Sequence, residues 1–303
     1  MHESVCHTYE SVSILYKNNR ICVVVPAFNE EENIARVIKT MPSFVDRIIV
    51  VDDSSRDRTF QVASGAGDER VSVIRHEVNQ GVGAAIVSGH KRVIEAGGDI
   101  SVVMAGDGQM DPKYLPSLLD AIIEMDCDYA KGNRFLEKGS LRAMPKLRVL
   151  GNMGLTFLNK LASGYWHIFD PQNGYTAIKT SVLRELDFDN FSKGYEFEND
   201  MLIELSIRNK KVKDVSMPAV YTGQKSKIRL YRFIPRMLLF FVKKFFYRVY
   251  QKYMLRDFHP FALLFIPGLA LFWWGLLFGA YIVYLRYFTV EHISPSTGTV
   301  ILS

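Results

Sequence analysis

Ile21-Cys22-Val23-Val24-Val25-Pro26-Ala27-Phe28-Asn29-Glu30-Glu31 is an uncharged, β-branched run that breaks abruptly into polar residues. Ile21–Pro26 reads as a strand buried on both faces, and Glu31–Thr40 as the helix that follows it. The same grammar recurs along the chain. Arg47–Val51 is a second strand, delivering Asp52-Asp53-Ser54-Ser55, and Val71–Arg75 is a third. A helix is expected over Gly83–Ala96, then a fourth strand over Ile100–Met104 that ends in Ala105-Gly106-Asp107-Gly108-Gln109. Asp111 before Pro112 has the form of an N-cap with proline at the first helical position, opening a helix over Lys113–Glu124. Strand and helix alternate, so the expected fold is α/β, with a mainly parallel sheet flanked by helices.

Ligands of such sheets bind beyond the carboxyl ends of the strands. The polar clusters after the first, second and fourth strands are therefore the candidate site. Asp52 and Asp53 are adjacent and must point apart, so one can accept from a ligand N–H while the other caps a backbone turn. Asp107 between two glycines offers a lone carboxylate where the backbone can approach a bulky ligand, an arrangement suited to Mg²⁺ or Mn²⁺ shared with substrate phosphates. Gln109 could orient the water shell of that ion. Gly81-Val82-Gly83 opens a helix but lacks the third glycine of a dinucleotide fingerprint, and there is no Walker A pattern. Gly83 stays a donor-side candidate on that weaker ground.

The 303 residues are 48% hydrophobic and 23% charged, which excludes a disordered or disulfide-scaffold chain. Three scattered cysteines form no metal clip, and seven histidines form no HExxH pair, so zinc is not expected. The net charge of +5 hides an asymmetry. Residues 225–256 hold ten Lys/Arg and no acid, leaving 27 basic against 32 acidic residues elsewhere. This basic collar is rich in Phe and Tyr, with Lys244, Arg248, Lys252 and Arg256 at helical steps. It is expected to form amphipathic interfacial helices broken near Pro235. Residues 261–285 then run for 25 positions without a charge, long enough to span a bilayer. A collar beside a span places residues 1–256 in the cytoplasm by the positive-inside rule, and argues for a membrane rather than nucleic acid as partner. No signal peptide is read in residues 1–20, and Val300-Ile301-Leu302-Ser303 reads as the start of a second span. The expected organisation is an N-terminal extension (1–20), a catalytic domain (21–224), basic juxtamembrane helices (225–257), a transmembrane helix (258–288) and a tail (289–303).

Taken together, Val25–Glu31, Ile49–Ser55 and Gly106-Asp107-Gly108-Gln109 resemble the family 2 glycosyltransferases of the GT-A fold, and most closely the dolichyl- or polyprenyl-phosphate sugar synthases. The resemblance covers roughly residues 20–225. It implies inverting transfer from a nucleoside diphosphate sugar, assisted by Mg²⁺ or Mn²⁺, onto a polyprenyl phosphate at the cytoplasmic face. Pro26, Ala27 and Glu30 would line the base and ribose, with Asp52 on the base. Asp107 and Gln109 match the metal end of the family's Asp-x-Asp region, but Ala105 replaces its first carboxylate. Arg134 in Gly132-Asn133-Arg134-Phe135 and Arg148 resemble arginines near the acceptor phosphate. Gln172 and Asn173 in Asp170–Tyr175 match a sugar-side loop. Asp200 in Glu198-Asn199-Asp200 stands where many members keep a catalytic base, which a hydroxyl acceptor needs and a lipid phosphate does not. Two other readings stand beside this one: a family member glycosylating a saccharide hydroxyl with Asp200 as base, and a non-catalytic nucleotide-binding protein, which Ala105 alone favours.

Overall fold

A computed structural model describes residues 15–135, 146–218, 230–256 and 259–288. In chain order the elements are β1 (Ile21–Ala27), α1 (Ile34–Lys39), β2 (Arg47–Asp52), α2 (Thr59–Ser64), β3 (Val71–Arg75), α3 (Val82–Glu95) and β4 (Ile100–Val103). There follow α4 (Leu115–Ile123), β5 (Tyr129–Asn133), α5 (Lys146–Ser163), β6 (Thr176–Lys179), α6 (Thr180–Leu183), α7 (Phe197–Ile207), β7 (Val212–Ser216), α8 (Leu230–Arg248) and α9 (Pro260–Phe288). Asp111 caps as expected, accepting from the Lys113 N–H, but the turn it opens is 3₁₀ over Pro112–Tyr114 before α4 begins. The first helix is shorter than the expected 31–40, because Glu30 and Glu31 are held in the loop between β1 and α1, where their N–H groups bond Thr59 and Asp57.

Seven strands form one sheet in the order β3-β2-β1-β4-β6-β5-β7. The first four are mutually parallel, and their residues alternate between two cores. Val23, Val25, Ile48, Val50 and Val102 face the side of α1 and α4, whereas Cys22, Val24, Ile49 and Val51 face α3. Burial on both faces explains the unbroken apolar runs. Gly89 lets α3 sit directly on β1, since a Cβ there would lie 2.1 Å from Val24 Cγ1.

β6 departs from the parallel pattern. It runs antiparallel to both β4 and β5, with Val103 and Lys131 each paired to Thr176. That register brings the start of β6 to the ends of β4 and β5. The loop 170–175 thus joins the same rim as the segments following β1, β2 and β4.

The chain divides into two compact units, 1–246 and 247–303. The first extends past residue 224, because α8 buries Met237 and Phe241 within it. α8 also runs through Pro235 without the expected break. Proline forfeits only its own N–H bond, here the one to the carbonyl of residue 231, and the flanking turns persist. In the second unit a π-helical stretch over Val249–Arg256 precedes α9. The Tyr253 ring packs 5.2 Å from Phe261. Leu263–Phe288 is long and apolar enough to cross a membrane, with Leu271 and Trp274 more than 70% exposed. Residues 1–14 and 289–303, and with them the suggested second span, lie outside the described residues.

His90 on α3 pairs with Ser101 on β4 at 2.9 Å. Burial pushes its imidazole down to about 3 from 6.5, so the folded protein keeps it neutral. Its contribution to stability is whole above the unfolded pKa and is lost as pH falls from there towards 3, at about 1.4 kcal/mol per pH unit. Melting temperatures of wild type and His90→Gln, compared from about pH 7.5 down to about 5, should diverge, with wild type losing more below 6.5. Parallel curves would refute this account.

Candidate active site

The rim is organised on the last two carbonyls of β1. Pro26 O accepts from Gly106 N at 3.0 Å and Ala27 O from Asp53 N at 2.9 Å, so the turns after β4 and β2 flank the same strand end. The loops are cross-braced further out. Asn29, in the left-handed region at φ 56°, donates its N–H to Ser55 Oγ and accepts from Arg56 N through Oδ1, both at 2.9 Å. Thr59 Oγ1 accepts from Glu30 N at 2.7 Å.

The two adjacent aspartates divide their work as their opposed directions require. Asp53 accepts from His76 Nδ1 (2.7 Å), Gln80 N (2.9 Å) and Gly81 N (2.8 Å), which fixes the turn that leads into α3. The other nitrogen of His76 lies 2.9 Å from Ser88 Oγ. Asp52, fully buried, accepts from Ser55 N through Oδ1. Its Oδ2 lies 3.2 Å from Arg75 Nε, at ion-pair distance but off hydrogen-bond geometry, so this buried oxygen still lacks a hydrogen-bond donor. An unmatched buried acceptor is costly, and here the Arg75 cation lies beside it.

Between these turns lies a cavity of about 310 Å³, lined by Pro26, Ala27, Phe28, Gly81, Val82 and Tyr195 among others. This is the size of a small-molecule site, at the strand ends where ligands bind. A larger hollow of about 420 Å³, beside Asn19, Asp99 and Arg184, is at the opposite end of β4 and touches none of the rim clusters.

Asp107 is half-buried, and its Oδ1 accepts from Gln109 N at 3.0 Å. Burial raises the Glu30 carboxyl above its usual range; the Asn33 amide pulls it down, and the charge of Asp107 lifts it again. The β1 and β4 clusters thus share one electrostatic environment. Among the described residues no three His, Cys, Asp or Glu side chains gather as a metal cage. A hard divalent ion can be held by one carboxylate when phosphate oxygens and water complete its shell, and Asp107 with Gln109 suits that role.

The β6 side of the rim is a set of buried pairs. Arg134 grips Asp170 with Nε and Nη2, at 2.8 and 3.0 Å. Lys131, fully buried, donates to Asn173 O and lies 3.3 Å from Glu198 Oε2. Gln172 donates to Asn199 Oδ1 at 3.1 Å. Asp200, also fully buried, accepts from Ser192 N at 2.8 Å and pairs with Lys244 Nζ of α8 at 2.5 Å. In this arrangement Asp200 anchors the Ser192 end of a loop. Arg148 lies in the first turn of α5, and its side chain is outside the described residues.

Gly83 is taken up by packing. The Gly83 N–H is bonded to Lys193 O at 2.9 Å, and Ala84 N shares the same carbonyl. A Cβ at Gly83 would lie 2.5 Å from Ser192 O and 2.9 Å from Phe197 Cβ. Glycine is needed there because the 192–195 backbone presses on the start of α3. Lys131 and Lys244 do not stand out in the sequence. The only trace of Lys131 is a lysine inside the otherwise uncharged strand Tyr129–Asn133, and Lys244 looks like any other cation of the collar.

Comparison with known proteins gives a consistent picture. The family profile described as Glycosyl transferase family 2 matches residues 22–187. The UDP-N-acetylglucosamine–dolichyl-phosphate N-acetylglucosaminyltransferase of Methanococcus voltae is 31% identical over 217 residues, covering 67% of this chain and 86% of that protein. The polyprenol monophosphomannose synthase of Mycolicibacterium smegmatis is 32% identical, covering 63% of this chain and 74% of that one. Glucosyl-3-phosphoglycerate synthase from Mycobacterium tuberculosis, solved with Mn²⁺ and UDP, shares the fold at a TM-score of 0.57 and 23% identity, covering 77% of this chain and 80% of that chain.

If Gly83 serves packing, Gly83→Ala should destabilise the ligand-free protein by about 1–3 kcal/mol, the usual cost of overpacking. Thermal unfolding without nucleotide reads this directly. An unchanged melting temperature would return Gly83 to a ligand-contact role.

Proposed function

This chain belongs to glycosyl transferase family 2, and we propose that it transfers a sugar, with inversion, from a nucleoside diphosphate sugar to a polyprenyl phosphate at the cytoplasmic face of a membrane crossed by α9. The rim cavity takes the nucleoside, with Pro26, Ala27 and Asp53 against it; Asp52, fully buried beside Arg75, is not among the lining residues. Asp107 and Gln109 hold a divalent cation, which when bound offsets the charge that grows on the departing diphosphate. The relatives named above, which act on dolichyl phosphate or make polyprenol monophosphomannose, support this class of acceptor.

The observation that carries the choice of acceptor is the state of Glu198 and Asp200. Both could take the proton of an attacking hydroxyl, yet each is locked in an ion pair, with Lys131 and Lys244. A lipid phosphate attacks as an anion and requires no such base. Its oxygen forms the new bond to the anomeric carbon as the bond to the diphosphate breaks, and no proton moves. Arg134, oriented by Asp170, stands at the same rim as the group that steers this phosphate.

α8 suits the membrane surface. Ile234, Leu238 and Val242 recur at steps of four on one exposed face, with Leu239 71% exposed beside them. Cations along such a helix favour the anionic cytoplasmic leaflet, and this supports the proposed orientation.

Purified protein given a labelled nucleoside diphosphate sugar and a short polyprenyl phosphate should move label into the organic phase, and Asp107→Ala should slow this about 100-fold or more, as loss of transition-state charge stabilisation does. Full activity in Asp107→Ala would remove the cation assignment. Transfer to saccharide hydroxyls but never to the lipid phosphate would overturn the acceptor.

A further inference from the structure

Four residues of one loop, Ser192–Tyr195, do two jobs. Lys193 O receives the Gly83 and Ala84 N–H groups at the start of α3, and Gly194 and Tyr195 form a wall of the rim cavity. The side chain of Tyr195 adds little to this hold, being 69% exposed, and the loop's backbone rests on Gly81 and Gly83. Its side-chain attachments are at its two ends. Ser192 N donates to Asp200, and Glu196, which closes the loop, lies 3.0 Å from Arg236 Nε. Asp200 and Glu196 are thus each met by a cation of α8, Lys244 and Arg236.

The two ion pairs are not equivalent. Arg236 is 74% exposed, and a pair so open to water is screened. Lys244 is 15% exposed against an Asp200 with no exposure at all. Removing one partner of a buried pair leaves an uncompensated charge, so the arrangement around the survivor must give way. What gives way here is the carboxylate that holds Ser192.

We propose that Lys244 is a positioning residue for the donor: by neutralising buried Asp200 it keeps the Ser192–Tyr195 loop seated on α3 and so completes the wall of the nucleoside cavity. The inference rests on reading that cavity as the donor site. It reaches beyond that reading by making donor affinity depend on a helix that contributes no atom to the cavity.

The full chain in detergent micelles tests this. If the loop is seated only a tenth of the time without Lys244, donor KM rises about 10-fold, because apparent affinity scales with the competent fraction. Lys244→Met should therefore raise the KM for the nucleoside diphosphate sugar by about that factor with kcat within about 2-fold, and Lys244→Arg should restore KM. In ligand-free protein, amide exchange should quicken at Gly83, Ala84 and Ser192 in Lys244→Met and return towards wild type in Lys244→Arg. Lys244→Met combined with Asp200→Asn removes the stranded charge. It should be no worse than Lys244→Met alone, and it serves if the single variant fails to fold. A donor KM and amide exchange both unchanged in Lys244→Met would overturn the proposal, as would an equal fall in kcat for the Met and Arg variants. Should wild-type protein bind no nucleoside diphosphate sugar, the cavity assignment fails, and the exchange experiment still decides whether Lys244 seats the loop.

Discussion

The active rim depends on two backbone hydrogen bonds at the end of β1. The end of β1 is still in register with β2, Ala27 lying opposite Asp52, and the carbonyls of Pro26 and Ala27 carry the ladders one step past β4 and β2 by taking the amides of Gly106 and Asp53. A buried carbonyl must find a donor, and here it does so by drawing in the first residues of two other loops. The turns that carry Asp53 and Asp107 are thereby fastened to the same end of β1. Gly106 allows this close approach, since a Cβ there would sit 3.2 Å from that of Ala27, tight enough to push the β4 turn outward.

The second half of the rim is held by charge rather than by the sheet. Lys131 with Glu198, Arg134 with Asp170 and Lys244 with Asp200 each bring a cation and an anion together where at least one partner is almost fully buried. Such pairs add little net stability, because desolvation consumes most of the attraction. Their value is geometric. Each ties a residue of β5, the following turn or α8 to the 170–175 loop or the start of α7, so segments distant in sequence keep one arrangement. The enzyme accordingly combines a rigid half built on parallel strands with a half whose shape follows its ion pairs.

Legibility in the sequence follows the same division. β1 to β4 could be read because uncharged β-branched runs are the local signature of strands buried on both faces, and the residues ending them were readable as a site. β5, β6 and β7 could not, since Tyr-Ala-Lys-Gly-Asn, Thr-Ala-Ile-Lys and Val-Lys-Asp-Val-Ser are short and carry polar residues whose partners lie elsewhere in the chain. The division of labour between Asp52 and Asp53 was foreseeable from their adjacency. Which of them caps the turn was not, because that depends on where residues 80 and 81 return. Gly83 was equivocal for a related reason: a glycine that opens a helix looks the same whether it makes room for a phosphate or for a passing backbone. Pro235 suggested a break because the residue is judged locally, while the helical hydrogen bonds of α8 continue on either side and Met237 and Phe241 are buried.

α8 has one side committed to the catalytic unit and another side of bare aliphatic residues. Anyone preparing a water-soluble version for crystallography would be tempted to cut before Leu230, where α8 begins. Such a cut would strip the cations from Glu196 and Asp200. A better boundary is just after Phe246, with Ile234, Leu238, Leu239 and Val242 exchanged for polar side chains, so that solubility is engineered on the face that holds nothing together.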